Sequence, residues 1–290
     1  MIRRTLQLVH GIGPWREKDL WARGLHDWDA VRARGASQLP AELHLRLCEA
    51  IDAAEDALGR HDIAGLSARL PSREHWRLWP LVAGEALCLD IEADGAGAPR
   101  PTVVGCHDAR GLATFIAGRN LDALTDRLAA SPVWVTFNGG AFDLPVLRRA
   151  FPDLPAPALH LDLHVICRRV GLGGGLKEIE ERVAIGRPPH LRGTNGLAAV
   201  LLWRAYQQSG EIEALRWLVE YNLYDAFQLR ALADHAFNRG AERLHWPERV
   251  RPWERGEVLY DLSRLLLELF PTETDLRSRK RVEALAELES

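Results

Sequence analysis

Apolar residues along the chain change their spacing near residue 85, and that change divides the sequence. Between Leu6 and Val31, Gly11-Ile12-Gly13-Pro14 separates two stretches able to form short helices, the second ending near Gly24. Leu43, Leu47, Ala50, Ile51, Ala54 and Leu58 then recur at helical spacing and predict an amphipathic helix from Pro40 to Leu58. Pro71, Pro80 and the Trp76/Trp79 pair mark a connection to a new unit.

From Glu85 onward, short apolar runs alternate with turn residues. Ala86 to Glu92, Thr102 to Cys106 and Leu112 to Ile116 read as an antiparallel meander of three strands. Leu121 to Ala130 reads as a helix and Val133 to Phe137 as a buried fourth strand. Asn138-Gly139-Gly140 is then a strand-to-helix turn into a helix through Leu147. A fifth strand over Leu159 to Leu163 precedes helices around Cys167, over Leu176 to Val183, Leu197 to Tyr206 and about Glu211 to Phe237. The tail from Gly256 to Ser290 reads as helical, divided by Pro271, with Trp246 and Trp253 packing it onto the body.

Composition narrows the class. In 290 residues, 47% hydrophobic content supports a sizeable core, and a charged fraction of 27% argues against extensive disorder. There is no run of about 18 apolar residues and no cleavage-like site near Met1, so the expectation is a cytoplasmic protein without a membrane partner. Cys48, Cys88, Cys106 and Cys167 lack a C-x-x-C pair and read as reduced, mostly buried thiols. A net charge of -3 argues against nonspecific coating of nucleic acid, which needs Lys and Arg. It is compatible with a nuclease, whose carboxylates carry negative charge that bound cations offset.

Three groups of residues carry candidate chemistry. Asp90 and Glu92 lie two apart in a predicted strand, so they share a face and can converge on one cation. Asp143 lies just past the end of another strand, where a carboxylate also suits the first turn of a helix. Tyr221 and Asp225 are four apart in a helical pattern, which puts a hydroxyl and a carboxylate on one face. His160, His164 and Asp162 form a cluster, but His160 and His164 cross a strand-to-helix boundary and read as packing or capping residues. Lys177 and Arg187 read as solvated surface charges, with contact to phosphate as the alternative.

In order and spacing, these elements resemble the DEDDy branch of the DnaQ-like 3′→5′ exonucleases, within the ribonuclease H-like superfamily and closest to YprB-like bacterial proteins. The resemblance runs from about Glu85 to Asn238, with Leu161-Asp162-Leu163, Leu176 to Glu180 and Leu202 to Tyr206 as further matching text. The first family motif falls on Asp90 and Glu92, the second on Asp143, and the third on Tyr221 with Asp225. The sister branch has a histidine where this chain has Glu220.

The resemblance implies an α/β fold, with a five-stranded mixed sheet flanked by helices over 81–240. A small helical unit over 1–80 and a helical extension over 241–290 would complete the chain. It also implies two Mg²⁺ or Mn²⁺ ions held by Asp90, Glu92, Asp143 and Asp225. Asp90 would bridge both ions, Glu92 and Asp225 would help hold the one that activates water, and Asp143 would support the second partly through water. Tyr221 would orient the attacking water. The expected partner is nucleic acid, chiefly single-stranded 3′ ends of DNA with RNA open. An endonuclease on the same core and a noncatalytic nucleic-acid-binding protein are the rival readings. Val9 to Pro14, with Leu20 and Gly24-Leu25, further resembles a helix-hairpin-helix, which binds DNA phosphates through backbone N–H groups near its glycines; Arg16 and Lys18 stand close by.

Overall fold

The computed structural model describes residues 2–253 and 256–271. Its centre is a five-stranded mixed sheet of β1 (Ala86–Ala93), β2 (Pro101–Asp108), β3 (Gly111–Ile116), β4 (Val133–Thr136) and β5 (Leu159–Asp162), in the order β3-β2-β1-β4-β5. β1, β2 and β3 form the expected antiparallel meander, while β4 and β5 run parallel to β1. Parallel pairing requires crossovers, and helices supply them. The central strand β1 is buried along nearly its whole length, which explains its continuous apolar run.

Helices cover both faces of the sheet. On one side, Leu87, Leu89 and Ile91 of β1 pack with Leu124 and Leu128 of the segment carrying α6 (Leu124–Ala129) and with Leu144 and Leu147 of α7 (Asp143–Ala150). The opposite face carries Asp90 and Glu92 and meets the 32-residue α11 (Ile212–Arg243), which is buried on every side from Tyr221 to Leu229. Between them in sequence lie α8 (Leu163–Arg169), α9 (Leu176–Arg182) and α10 (Gly196–Ser209). Beyond α11, α12 (Gly256–Leu269) buries Val258, Leu262 and Leu266 in the cluster that contains β3 residue Ile116, and Trp246 stacks on Trp76. The expected tail beyond Pro271 lies outside the described residues.

The N-terminal segment contributes α1 (Pro14–Ala22), α2 (Trp28–Arg34), α3 (Ala41–Gly59), α4 (Ile63–Ala68) and α5 (Trp79–Val82). Its core is continuous with that of the sheet: Leu20, Trp28, Leu47 and Trp79 belong to one cluster with Val133, Leu161 and Phe237. The expected helix before the Gly11–Pro14 turn does not form; a single 3₁₀ turn over Ile2–Arg4 is followed by turns. Local backbone groups there are claimed from elsewhere. Trp21 and Trp28 donate their indole N–H groups to the carbonyls of Arg4 and Thr5, and the Leu6 amide donates to buried Glu17. The segment therefore has a helix after the hairpin but not before it.

All four cysteines are free, and three are buried. Among the described residues, no helix is long and apolar enough to cross a membrane.

Candidate active site

Alternation along β1 sends Cys88, Asp90 and Glu92 toward α11. Opposite Asp90 in the ladder stands Gly105 of β2, where a β-carbon would come within 2.7 Å of Asn222 Oδ1 and 3.1 Å of its carbonyl oxygen. Glycine thus lets α11 approach the sheet closely. In the space it leaves, Asn222 Nδ2 donates to the Asp90 carbonyl at 3.0 Å and to Asp90 Oδ2 at 2.8 Å.

One turn further along α11, Asp225 completes a triad. Asp90, Glu92 and Asp225 each present a carboxylate oxygen, and these oxygens lie within 4.8 Å of one another. Tyr221 lines the same cavity, with Asn138, Phe142, His164 and Arg168 on its other walls. The spacing of Tyr221 and Asp225 therefore does bring both to one site.

Asp143 stands apart from this triad. It begins α7 and is buried, with the Ile91 amide of β1 donating to its carboxylate. Its charge still reaches Asp90 and Glu92. The turn that places it is fastened by Asp162, which accepts from the amides of Asn138 (2.9 Å) and Gly140 (3.0 Å) and also caps α8 through His164 N. His160 Nε2 lies 2.8 Å from Thr136 Oγ1. The packing reading of His160 therefore describes its geometry, while half-buried His164 also lines the cavity.

Lys177 and Arg187 overturn their reading as solvated surface charges. Arg187 is buried and pairs with Asp225, while gripping Glu180 through Nη2 at 2.8 and 2.9 Å. Half-buried Lys177 donates to Tyr221 Oη at 3.0 Å and to the Thr194 carbonyl, with its ammonium 4.4 Å from the Tyr221 ring centre. Neither stands near Asp90, Glu92, Tyr221 or Asp225 in sequence, so periodicity could not find them. One compositional signal could have drawn attention to Lys177: only three of the 37 basic residues are lysine, at 18, 177 and 280. Asn222 and Gly105 were also missed, since each acts through a contact that only the fold creates.

Desolvation and mutual repulsion dominate the electrostatics. Desolvation, then Asp225 and Glu92, hold the Asp90 carboxyl well above its ordinary range. Desolvation, then Asp225, push Glu92 up to about 8, and burial pushes Asp143 up to about 7. Tyr221 is raised by desolvation and by the three acids, so its phenol is neutral; it donates to Asp225. Desolvation lowers Lys177. For Arg187, burial opposes the charge but Asp225 and Glu180 outweigh it.

A divalent cation fits this donor set. The donors are hard carboxylate oxygens with neither thiol nor imidazole among them, and their ionisation is penalised unless positive charge is supplied. Arg187 already supplies some of that charge to Asp225.

No curated protein and no solved structure matches the chain significantly. A family model of the RNase_H superfamily matches residues 87–237. That span runs from the start of β1 into the last part of α11, takes in the triad, Asp143 and Tyr221, and covers just over half of the sequence. The chain belongs to the RNase_H superfamily.

Proposed function

We propose that this protein is a metal-dependent 3′→5′ exonuclease of the DEDDy type that hydrolyses phosphodiester bonds in single-stranded nucleic acid. The observation that carries the reading is the convergence of Asp90, Glu92 and Asp225 within 4.8 Å in a cavity that Tyr221 also lines. Membership of the RNase_H superfamily points to a metal-dependent nuclease, and the tyrosine four residues before the last acid supports the finer assignment.

Asp90, Glu92 and Asp225 would hold Mg²⁺ or Mn²⁺, with Asp143 in support. Two such ions, when bound, supply the charge that stabilises the phosphate and the acidity that yields a hydroxide nucleophile. The remaining work belongs to the protein. Asn222 fixes the Asp90 carboxylate, and Ile91 N–H fixes that of Asp143. Tyr221, neutral and held between Asp225 and Lys177, orients the attacking water by hydrogen bonding rather than taking its proton. Lys177 and Arg168 bring positive charge to the cavity, where a phosphate would enter.

The test uses single strands labelled at the 5′ end, incubated with Mn²⁺ or with EDTA. Ladders that shorten from the 3′ end only with metal are expected. Internal cuts would replace this reading with an endonuclease, and binding without any product would replace it with a noncatalytic protein.

A further inference from the structure

Where α1 meets α8 and the end of α11, a second cavity opens between Trp15, Lys18, Arg169 and Arg243, above a floor of Arg77 and Glu17. The floor is electrically closed. Arg77 grips Glu17 with two bonds of 2.8 Å and donates to Glu74, which also accepts from Arg169 at 2.6 and 2.9 Å. The rim is open. Lys18 is exposed, with no ion pair or hydrogen bond among the described residues, and the exposed Arg243 donates to the Val170 carbonyl. Trp15 is 81% exposed, more than any other large hydrophobic residue among those described.

The two cavities share a helix. His164 and Arg168 of α8 line the carboxylate cavity, and the adjoining Arg169 and Val170 line this one. A seven-residue helix is only about 10 Å long, so the sites lie within a few nucleotides of each other. An exposed indole offers a face on which any unpaired base can stack, and exposed cations beside it match the phosphates that link successive bases.

We propose that this cavity is a second contact for the substrate strand: Trp15 stacks an unpaired base, and Lys18 and Arg243 hold the neighbouring phosphates. The strand then reaches the carboxylates past Arg168. The contact rests on the nuclease reading for its occupant. It uses side chains of α1 and α11 rather than the glycine amides of the hairpin.

Fluorescence anisotropy with labelled single strands of four and twelve nucleotides tests it, on the full chain in EDTA so that nothing is cut. The parent is expected to bind the longer strand at least tenfold more tightly. Trp15→Ala, and separately Lys18→Glu with Arg243→Glu, should erase most of that gain while thermal melting stays parental. Losing two phosphate contacts should also lower the salt slope by about 1.4. An unchanged length dependence in both variants overturns the proposal. So does an equal loss for both lengths, a preference for duplex, or a change of oligomeric state in place of a change in affinity. Hydrolysis of the four-nucleotide strand by the parent in Mn²⁺ reports on the carboxylate site separately: no cutting with intact length dependence defeats the nuclease reading alone.

Discussion

The side-chain amide of Asn222 bonds Asp90 twice, at its carbonyl oxygen and at its carboxylate, across 132 residues of sequence. The contact exists because Gly105 leaves room beside Asp90. Asn222→Ala should cost about 1–3 kcal/mol of stability and lower turnover more than substrate affinity, since it frees a carboxylate without touching substrate. Gly105→Ala should destabilise by a similar 1–3 kcal/mol, because backbone as well as side chain must give way. Denaturant unfolding and steady-state kinetics check both; a Gly105→Ala protein with parental stability would remove the packing account.

Crowded acids predict an inverted pH response in the metal-free protein. The folded-state pKa of Glu92, about 8, lies above its ordinary value, so between those values the folded state holds a proton that the unfolded state has lost. Stability is then greatest at low pH within that window and declines as pH rises through about 8. In EDTA, stability should fall by about 1 kcal/mol between pH 7 and 8.5. Glu92→Gln should flatten the decline. Urea midpoints at the two pH values measure it, and a rise with pH would contradict the proposed cause.

Tyr221→Phe keeps the ring packed and removes the hydroxyl that bridges Lys177 and Asp225. Metal binding should persist while the chemical step slows within roughly 10²–10⁴-fold, toward the lower end. Single-turnover hydrolysis in saturating Mn²⁺ is the measurement. A Phe variant as fast as the parent would make Tyr221 structural.

Arg187 is the partner on which two buried acids depend. Arg187→Met strands Glu180 in the interior and should cost about 3–5 kcal/mol. Adding Glu180→Gln should recover part of that loss, because the stranded charge is then gone. Thermal and urea unfolding of the single and double variants decide the matter; no recovery would mean that Arg187 serves Asp225 alone.

The strands, the long helices and the five proposed chemical residues were legible because they obey local rules. Period-two and helical spacing report which residues share a face, and that put Asp90 with Glu92 and Tyr221 with Asp225; the family resemblance then gave them a chemical role. Asp143 shows the limit: its position after a strand was readable, but its bond to the Ile91 amide, outside the triad, depends on how α7 docks against β1. Lys177 and Arg187 were misread because a charged residue in a polar stretch is usually solvated, and only the packing of their segment against α11 brings them inside. The missing first helix near Leu6 failed for a related reason, since distant tryptophans and Glu17 claim its backbone groups.

Trp79 donates its indole N–H to Asp234, 155 residues later, so the N-terminal segment is tied to the far end of α11. This has a kinetic consequence. Contacts of such long range delay folding, because the chain must close a large loop before they stabilise it. During synthesis, β1 to β5 all emerge before the helix that covers one face of their sheet. The apolar face and the acids of β1 must therefore wait for α11, and the triad is complete only once Asp225 has docked. Chains halted before α11 should remain open and prone to aggregation, so the last helix of the matched domain both closes the core and completes the site.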